Sequence, residues 1–221
     1  MKVVRTAMSF RRKISSQSGL TLAEILVVVS IVAVVSALSI PSFSRVLDNT
    51  RLKSAAQQLS GLYQDARVRA AQNNTSYEVL LSPPGITPAV ACIDLDGDGQ
   101  CGSSEPQTVF VAQVLVNNNG VPQKLGNSTL GFDPIGIENS HMVNASNVPA
   151  PGLAWNSRGV PCERQDATAS PCSGIPGGWV QYLQLPRASG DVLYAAVTVS
   201  PTGRVKTWTF IPSGNGNGSW F

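Results

Sequence analysis

A run of 20 residues without a charged side chain, Ile25–Ser44, limits what this chain can fold into more than any other feature. A helix of that length extends about 30 Å, at about 1.5 Å per residue, which matches the hydrocarbon thickness of a bilayer. The chain before Leu20 carries five basic side chains and no acidic one: Lys2, Arg5, Arg11, Arg12 and Lys13. Because basic flanks stay in the cytoplasm, the pattern predicts a transmembrane segment at about residues 20–44 that sends the rest of the chain outward.

Glu24 stands at the start of this apolar run, where lipid disfavours an unpaired carboxylate. Two interpretations of the run leave this residue without a role: a secretory signal peptide with its cut site at Val35-Ser36-Ala37, and a signal anchor that is never cut. A third interpretation places the cut after Gly19. Leu20 then carries a new α-amino group about one helical turn from Glu24, and the same group on a neighbouring subunit can pair with that carboxylate.

The stretch "SGLTLAEILVVVSIVAVV", residues 18–35, resembles the leader and N-terminal helix of the type IV pilin and type II secretion pseudopilin family. The resemblance covers roughly residues 11–72. It implies that residues 1–19 are a leader, that prepilin peptidase cuts after Gly19, and that it methylates Leu20, where the family usually has Phe. It also makes Glu24 the assembly glutamate and Pro41 a helix-bending proline.

The same resemblance implies a function and a location. Family members are structural subunits that first sit in the bacterial inner membrane with a single span and a periplasmic C-terminal domain. They then move into a pilus or pseudopilus filament. The implied partners are prepilin peptidase, other pilins or pseudopilins and the inner-membrane assembly platform. Secretion and pilus machineries share this leader and helix, so both stay open.

The chain after Pro41 predicts an amphipathic helix that ends near residue 74. Its apolar side chains recur three and four positions apart, which is typical of a helix packed on its own domain. These side chains are Leu52, Ala55, Ala56, Leu59, Leu62, Tyr63, Ala66 and Ala70. The predicted fold is therefore α+β: a long N-terminal helix, residues 20–74, whose first half is transmembrane and whose second half packs on an antiparallel β domain, residues 75–221.

The β domain is predicted from β-branched runs separated by turn residues. The predicted strands are Ser76–Leu81, Thr108–Val116, Gly152–Trp155, Trp179–Leu185, Val192–Ser200 and Arg204–Ile211, with a short one near Leu130–Phe132. Pro201-Thr202-Gly203 predicts a tight turn that joins the last two long strands into a hairpin. The tail Ser213–Ser219 is rich in Gly and Asn and is predicted to be flexible, with Trp220-Phe221 as a segment that can dock.

The stretches "LAWNSRGVPC" and "VTVSPTGRVKTWTF" resemble the C-terminal half of GspH/FimT-like minor pseudopilins. Some FimT-like proteins bind DNA for natural transformation, so the resemblance adds DNA as an alternative partner. The basic residues that could serve it here are Arg187, Arg204 and Lys206. Beyond residue 19 the chain has 11 basic and 13 acidic residues, a net charge of −2, which favours scattered surface charge over a strong polyanion site.

The stretch "DLDGDGQCGSSE" matches the spacing of a calcium-binding loop. Alternating carboxylates can converge on a hard cation that needs six to eight oxygen ligands, and Gly99 allows the sharp turn. The predicted calcium ligands are Asp94, Asp96, Asp98, Gln100 and Glu105. Asp and Gly are also common turn residues, so an acidic surface turn is the alternative. The flanking Cys92 and Pro106 do not start helices, which argues against a true EF-hand.

Four cysteines form two pairs that are close in sequence, Cys92 with Cys101 and Cys162 with Cys172. Local spacing behind a membrane leader predicts disulfides made in an oxidising compartment. Two other connectivities and four reduced thiols remain as alternatives.

The sequence gives little support to catalysis. His141 is the single histidine and lies in a Ser- and Asn-rich stretch, and no Gly-x-Ser-x-Gly motif occurs. We therefore predict a structural subunit and not an enzyme, with DNA binding as the alternative function.

Overall fold

The structure, a computed structural model, describes residues 19–83, 85–111, 113–116, 121–130, 134–136, 152–164, 172–174, 178–212 and 218–221. Within these ranges, the description omits the side chains of residues 37–42, 127, 134–136, 152, 163, 164, 173 and 174. The chain divides into two compact units, one ending at Ser44 and one formed by Arg45–Phe221. The fold is α+β, with one long helix followed by two sheets.

The long helix α1 spans Leu22–Asn73 and a short helix α2 spans Asn127–Leu130. The strands in chain order are β1 (Tyr77–Leu81), β2 (Val90–Asp94), β3 (Gln107–Val109), β4 (Leu115–Val116), β5 (Pro134–Gly136), β6 (Gly152–Trp155), β7 (Pro161–Arg164), β8 (Ser173–Gly174), β9 (Gly178–Pro186), β10 (Val192–Val199), β11 (Val205–Pro212) and β12 (Gly218–Trp220). The helix predicted over residues 20–74 is confirmed to within two residues at its start and one at its end.

Two six-stranded sheets form the β part. Sheet 1 has the strand order β3-β2-β1-β6-β7-β8, and every neighbouring pair is antiparallel. Sheet 2 has the order β12-β11-β10-β9-β4 in antiparallel pairing, with β5 added parallel to β9. The hairpin β10–β11 is confirmed, and its tight turn is closed by a hydrogen bond from Gly203 N–H to the Ser200 carbonyl at 2.8 Å.

The second half of α1 and both sheets share one hydrophobic core. The helix contributes the apolar series predicted from its three- and four-residue spacing, and all eight of those side chains are buried. Tyr63 from α1, Trp155 from sheet 1 and Trp179 from sheet 2 are the largest members, each no more than 2% exposed. Most of the free energy that holds α1 to the β domain comes from this burial, because short-range helix propensity alone is marginal in water.

A smaller core covers the other face of sheet 2. Val180, Tyr182, Ala196 and Trp208 pack there with Leu125, and Trp220 lies against them. The Trp220 ring nitrogen donates to the Gln123 carbonyl at 2.8 Å. The predicted docking is confirmed for Trp220, whereas the Phe221 side chain is 68% exposed. Gly218–Trp220 forms β12 on the edge of sheet 2, so the flexible tail predicted over Ser213–Ser219 is corrected at Gly218 and Ser219. Residues 213–217 of the tail lie outside the described residues.

Two strand predictions are corrected by the structure. The run Thr108–Val116 is not a single strand but the end of β3 and the whole of β4, two strands in different sheets. Gln113 has a φ of +86° between them, a conformation that a continuous strand does not allow. Leu130 lies in α2, which corrects the start of the strand predicted near Leu130–Phe132, and residues 131–133 lie outside the described residues.

In the described part of the chain, no helix has an apolar stretch of sufficient length to cross a membrane. The predicted span at residues 20–44 includes residues 37–42, whose side chains lie outside the description. α1 continues through Pro41. The bend predicted at that residue stays a prediction.

Candidate functional site

α1 begins with a capping arrangement that places Glu24 in the first turn. The backbone N–H of Glu24 approaches the Thr21 hydroxyl at 3.3 Å and the Thr21 carbonyl at 3.1 Å. Thr21 is therefore the N-cap, and Glu24 three residues later has the spacing of a capping box. The amino end of a helix carries partial positive charge, so a carboxylate in this turn is favourable even before any partner is present.

The residues next to the predicted cut site are open to solvent. Apart from its chain neighbours, no atom of the described residues lies within 4 Å of the position that a Cβ at Gly19 would take, and Leu20 is 71% exposed. The apolar side chains that follow point to all sides of α1 and are each at least 52% exposed. They are Leu22, Ile25, Leu26, Val27, Val28, Val29, Ile31, Val32, Val34 and Val35. Within the described residues, this first part of α1 is therefore apolar and exposed on all its sides.

The acidic loop, Asp94–Glu105, brings three of the predicted calcium ligands together. One carboxylate oxygen from each of Asp94, Asp96 and Asp98 lies within 4.8 Å of the other two. Asp94 is 2% exposed, and its two oxygens accept from Gly97 N–H at 2.6 Å and Gly99 N–H at 3.2 Å. Asp96 and Asp98 are exposed, so two carboxylates of the group face solvent.

Glu105 does not join that group. Its two carboxylate oxygens accept from Leu95 N–H at 2.6 Å and from Gly102 N–H at 2.8 Å, and the residue is 7% exposed. The side chain thus closes the acidic loop on itself, whereas the predicted role was a cation ligand. Gln100 contributes its N–H to Asp98 Oδ1 at 2.7 Å. The loop is shaped by carboxylate-to-amide bonds, and the calcium site stays a prediction.

Both predicted disulfides are present, Cys92–Cys101 and Cys162–Cys172. The first joins β2 to the acidic loop, and the second joins β7 to the residue before β8. The structure contains no free cysteine.

The three basic residues predicted for DNA do not form one surface. Arg187, at the end of β9, has a side chain that is 14% exposed and lies with its Nε 3.7 Å from the Asp48 carboxylate of α1. Its guanidinium also approaches the Arg45 carbonyl and Asn49 Oδ1, each at 3.5 Å. Arg187 is therefore engaged in holding α1 and has little surface to offer a ligand.

Arg204 and Lys206 do lie together. Both line a cleft of about 310 Å³ whose other walls include Thr129, Thr202 and Trp208. The Lys206 ammonium stands 3.3 Å from the centre of the Trp208 ring, a cation–π contact. Of the three predicted basic residues, this pair alone forms a shared surface. His141 lies outside the described residues.

Two arginines that no sequence motif marks stand beside Arg204. Arg67 of α1 and Arg158 of the β6–β7 turn line a second cleft with it, of about 430 Å³. The sequence places these three residues far apart and gives no local signal that they meet.

A search of protein-family models finds no match to the chain, and searches of curated proteins and of solved structures find none either.

Proposed function

We propose that this chain is a subunit of a pilin-like filament, a minor pilin or pseudopilin of a type IV pilus or a type II secretion system. Prepilin peptidase removes residues 1–19 and methylates Leu20. The segment at about residues 20–44 spans the inner membrane before assembly, and the β domain lies in the periplasm. In the filament, helices of neighbouring subunits replace lipid around the apolar first part of α1.

The observation that carries this proposal is the arrangement at the start of α1. An open Gly19-Leu20 bond precedes a capped helix, Glu24 lies in its first turn, and an apolar surface follows on all sides. The capped turn keeps the Glu24 carboxylate close to the amino end of its own chain. An amino group from another subunit can approach the same carboxylate, and in surroundings without water that contact is far stronger than at a wet surface.

The test is the identity of the mature amino terminus. The chain is expressed together with prepilin peptidase and assembly platform, and the membrane fraction is analysed by N-terminal sequencing and intact mass. We expect Leu20 as the first residue, with one added methyl group. A Leu38 terminus would instead identify an ordinary signal peptide, and an intact Met1 terminus a simple anchor. The matched control is the same strain without the peptidase, where Met1 should remain.

DNA uptake is the second candidate, and the shared cleft of Arg204 and Lys206 is the observation that favours it. This basic surface is small for DNA. Strong non-specific binding usually needs several phosphate contacts, and the cleft offers two of the predicted basic residues. The test is a salt-dependent shift of duplex DNA by the full chain in detergent, with Lys206→Gln as the weakening variant. No shift at low salt would remove this candidate.

A further inference from the structure

Three arginines from distant parts of the sequence line one cleft between α1 and two turns of the β domain. They are Arg67 on α1, Arg158 in the β6–β7 turn and Arg204 beside the β10–β11 turn, and the cleft has a volume of about 430 Å³. The described residues that line it include no acidic side chain; the others are Gln64, Val68, Ala71, Gly159, Gly203 and Val205. Like charges that converge without a counter-charge are unfavourable, so the arrangement leaves a place for an anion.

Arg67 is held in place by uncharged groups. Its guanidinium donates to the Gly203 carbonyl at 3.1 Å and lies 5.5 Å from the centre of the buried Trp155 ring. A Cβ at Gly159 would come 3.2 Å from Arg67 Nε, and Gly159 has a φ of +69°. The side chain is thus positioned by a carbonyl, a ring and a close backbone, none of which neutralises its charge.

The backbones that present Arg158 and Arg204 are equally fixed. Asn156 Oδ1 accepts from Arg158 N–H at 2.9 Å and from Val160 N–H at 3.0 Å, which closes the β6–β7 turn. The Ser200 hydroxyl accepts from Arg204 N–H at 3.0 Å. Both arginine side chains are exposed, and neither forms an ion pair within the part of the chain that the structure describes. Two exposed guanidinium groups on hydrogen-bonded turns, without an ion pair among the described residues, therefore border the cleft beside Arg67.

We infer that this cleft binds an acidic peptide segment of a partner protein, with carboxylates held by Arg158 and Arg204. Arginine suits this ligand because its planar group can donate two parallel hydrogen bonds to one carboxylate. The cleft also offers apolar surface, and Val68 beside the arginines is 51% exposed. A peptide that carries both carboxylates and apolar side chains matches such a lining.

Duplex DNA matches the lining of this cleft less well than an acidic peptide does. The unit Arg45–Phe221 contains 11 basic and 12 acidic residues, a net charge of −1, so its overall field does not attract a polyanion. Duplex DNA also needs several phosphate contacts on an extended surface, whereas these arginines are grouped in one recess. The inference does not depend on the filament role, because peptide binding by the isolated chain can be measured without any assembly.

The test uses the full chain in detergent and a fluorescently labelled peptide of glutamates and leucines, with a peptide of glutamines and leucines as the ligand control. We expect salt-dependent binding of the acidic peptide, weakened about tenfold by Arg158→Gln and about tenfold by Arg204→Gln. Lys53→Gln, an exposed charge on α1 away from the cleft, is the matched control and should leave binding unchanged. Melting curves of each variant check that the fold is retained.

Three results would overturn the inference. The first is no binding of the acidic peptide at low salt, and the second is binding that Arg158→Gln and Arg204→Gln leave unchanged. The third is binding of duplex DNA that depends on Arg158, in a protein that does not bind the peptide. Lys206→Gln separates the two ligands further. Lys206 lines the neighbouring cleft and not this one, so its loss should not weaken binding of the peptide.

Discussion

Arg187 Nε lies 3.7 Å from the Asp48 carboxylate, and this pair ties the β9–β10 turn to α1. The same carboxylate also faces Arg51, at 3.5 Å, one turn further along the helix. The two arginines differ in exposure, with side chains 14% and 44% exposed, so one charge pair is largely removed from water and the other is not.

The Asp48 pairs give a matched prediction about stability. Arg187→Gln should lower the free energy of unfolding by about 2 kcal/mol, because it leaves a shielded carboxylate without its nearest buried cation. Arg51→Gln should change it by less than about 0.5 kcal/mol, as is usual for exposed pairs. Chemical denaturation of the full chain in detergent measures both. Equal effects from the two variants would contradict the assignment of Arg187 to the α1 contact.

The start of α1 allows charge and capping to be separated at Glu24. Glutamine serves as well as glutamate at the third position of a capping box, so Glu24→Gln should keep the helix start and cleavage after Gly19. It removes the charge that the amino end of a neighbouring subunit would meet, and we expect incorporation into the filament to be lost. Thr21→Val is the complementary control, since it removes the cap and keeps the charge. Normal incorporation of Glu24→Gln, measured in sheared filaments, would argue that capping is the only role of this residue.

Tyr63 predicts sensitivity to alkaline pH. Its hydroxyl is fully buried, has no hydrogen-bond partner among the described residues, and burial raises the pKa of Tyr63 above its usual value of 10.0. Because the folded pKa is higher, the unfolded chain ionises first. This residue's stabilising contribution is therefore complete below pH 10.0 and falls as the pH rises above it.

Tyr63→Phe should accordingly move the midpoint of alkaline unfolding to higher pH. At neutral pH it should leave stability unchanged or raise it by about 1 kcal/mol, because an unpaired buried hydroxyl is removed. Near-ultraviolet circular dichroism during a pH titration follows the transition. Tyr77→Phe, at a half-exposed site where the hydroxyl accepts from the Asn73 amide at 2.9 Å, is the control. A midpoint that shifts equally for both variants would show that Tyr63 is not the cause.

Asp96→Ala tests the calcium prediction at the cost of one long hydrogen bond of the acidic loop, from Asp98 N–H to Asp96 Oδ1 at 3.2 Å. Asp96 is exposed and belongs to the three-carboxylate group, so Asp96→Ala should weaken calcium binding about tenfold and leave the fold intact. Asp94 is unsuitable for this purpose, since it holds two backbone amides of the loop. Calorimetric titration of the full chain with calcium measures the affinity. If wild type and variant give the same heats, the loop is an acidic turn.

Two glycines with the same backbone requirement differ in the space around them. Gly203 has a φ of +82° and Gly190 a φ of +88°. A Cβ at Gly203 would come 2.9 Å from Trp155, whereas at Gly190 no described residue other than the chain neighbours lies within 4 Å. Gly190→Ala should cost about 1 kcal/mol from backbone strain alone. Gly203→Ala should cost at least about 2 kcal/mol, because the buried ring must also move. Similar losses in denaturation experiments would contradict the tight packing of the β10–β11 turn on Trp155.

Local patterns predicted the elements that local rules determine. The β10–β11 hairpin follows from two β-branched runs around Pro201-Thr202-Gly203, and the buried face of α1 follows from its three- and four-residue spacing. The cysteine pairs are equally local, with partners 9 and 10 positions apart in the sequence. In contrast, the composition of Thr108–Val116 predicts one strand, because no residue in it indicates the φ of +86° at Gln113.

The candidate sites are formed by residues that are far apart in the sequence, so the spacing of residues along the chain does not predict them. The sequence places Arg187 among the residues that could bind DNA. Its carboxylate partner in α1 lies more than 130 residues earlier, so no local pattern reveals the pair. Arg67 and Arg158 were not selected, because only the folded chain places them beside Arg204. The Thr-x-x-Glu spacing of Thr21 and Glu24, in contrast, is a local signal, because it accounts for the position of the carboxylate through helix capping.

The two disulfides lie at opposite edges of sheet 1. Cys92–Cys101 braces the side where β3 is outermost, and Cys162–Cys172 braces the side where β8 is outermost, while the core between α1 and the sheets is held without any covalent bond. Reduction of the disulfides should therefore loosen the outer strands of sheet 1 and leave the core between α1 and the sheets packed. In a reducing compartment we expect the loosened outer strands to present unpaired backbone groups, with which strands of other chains can pair.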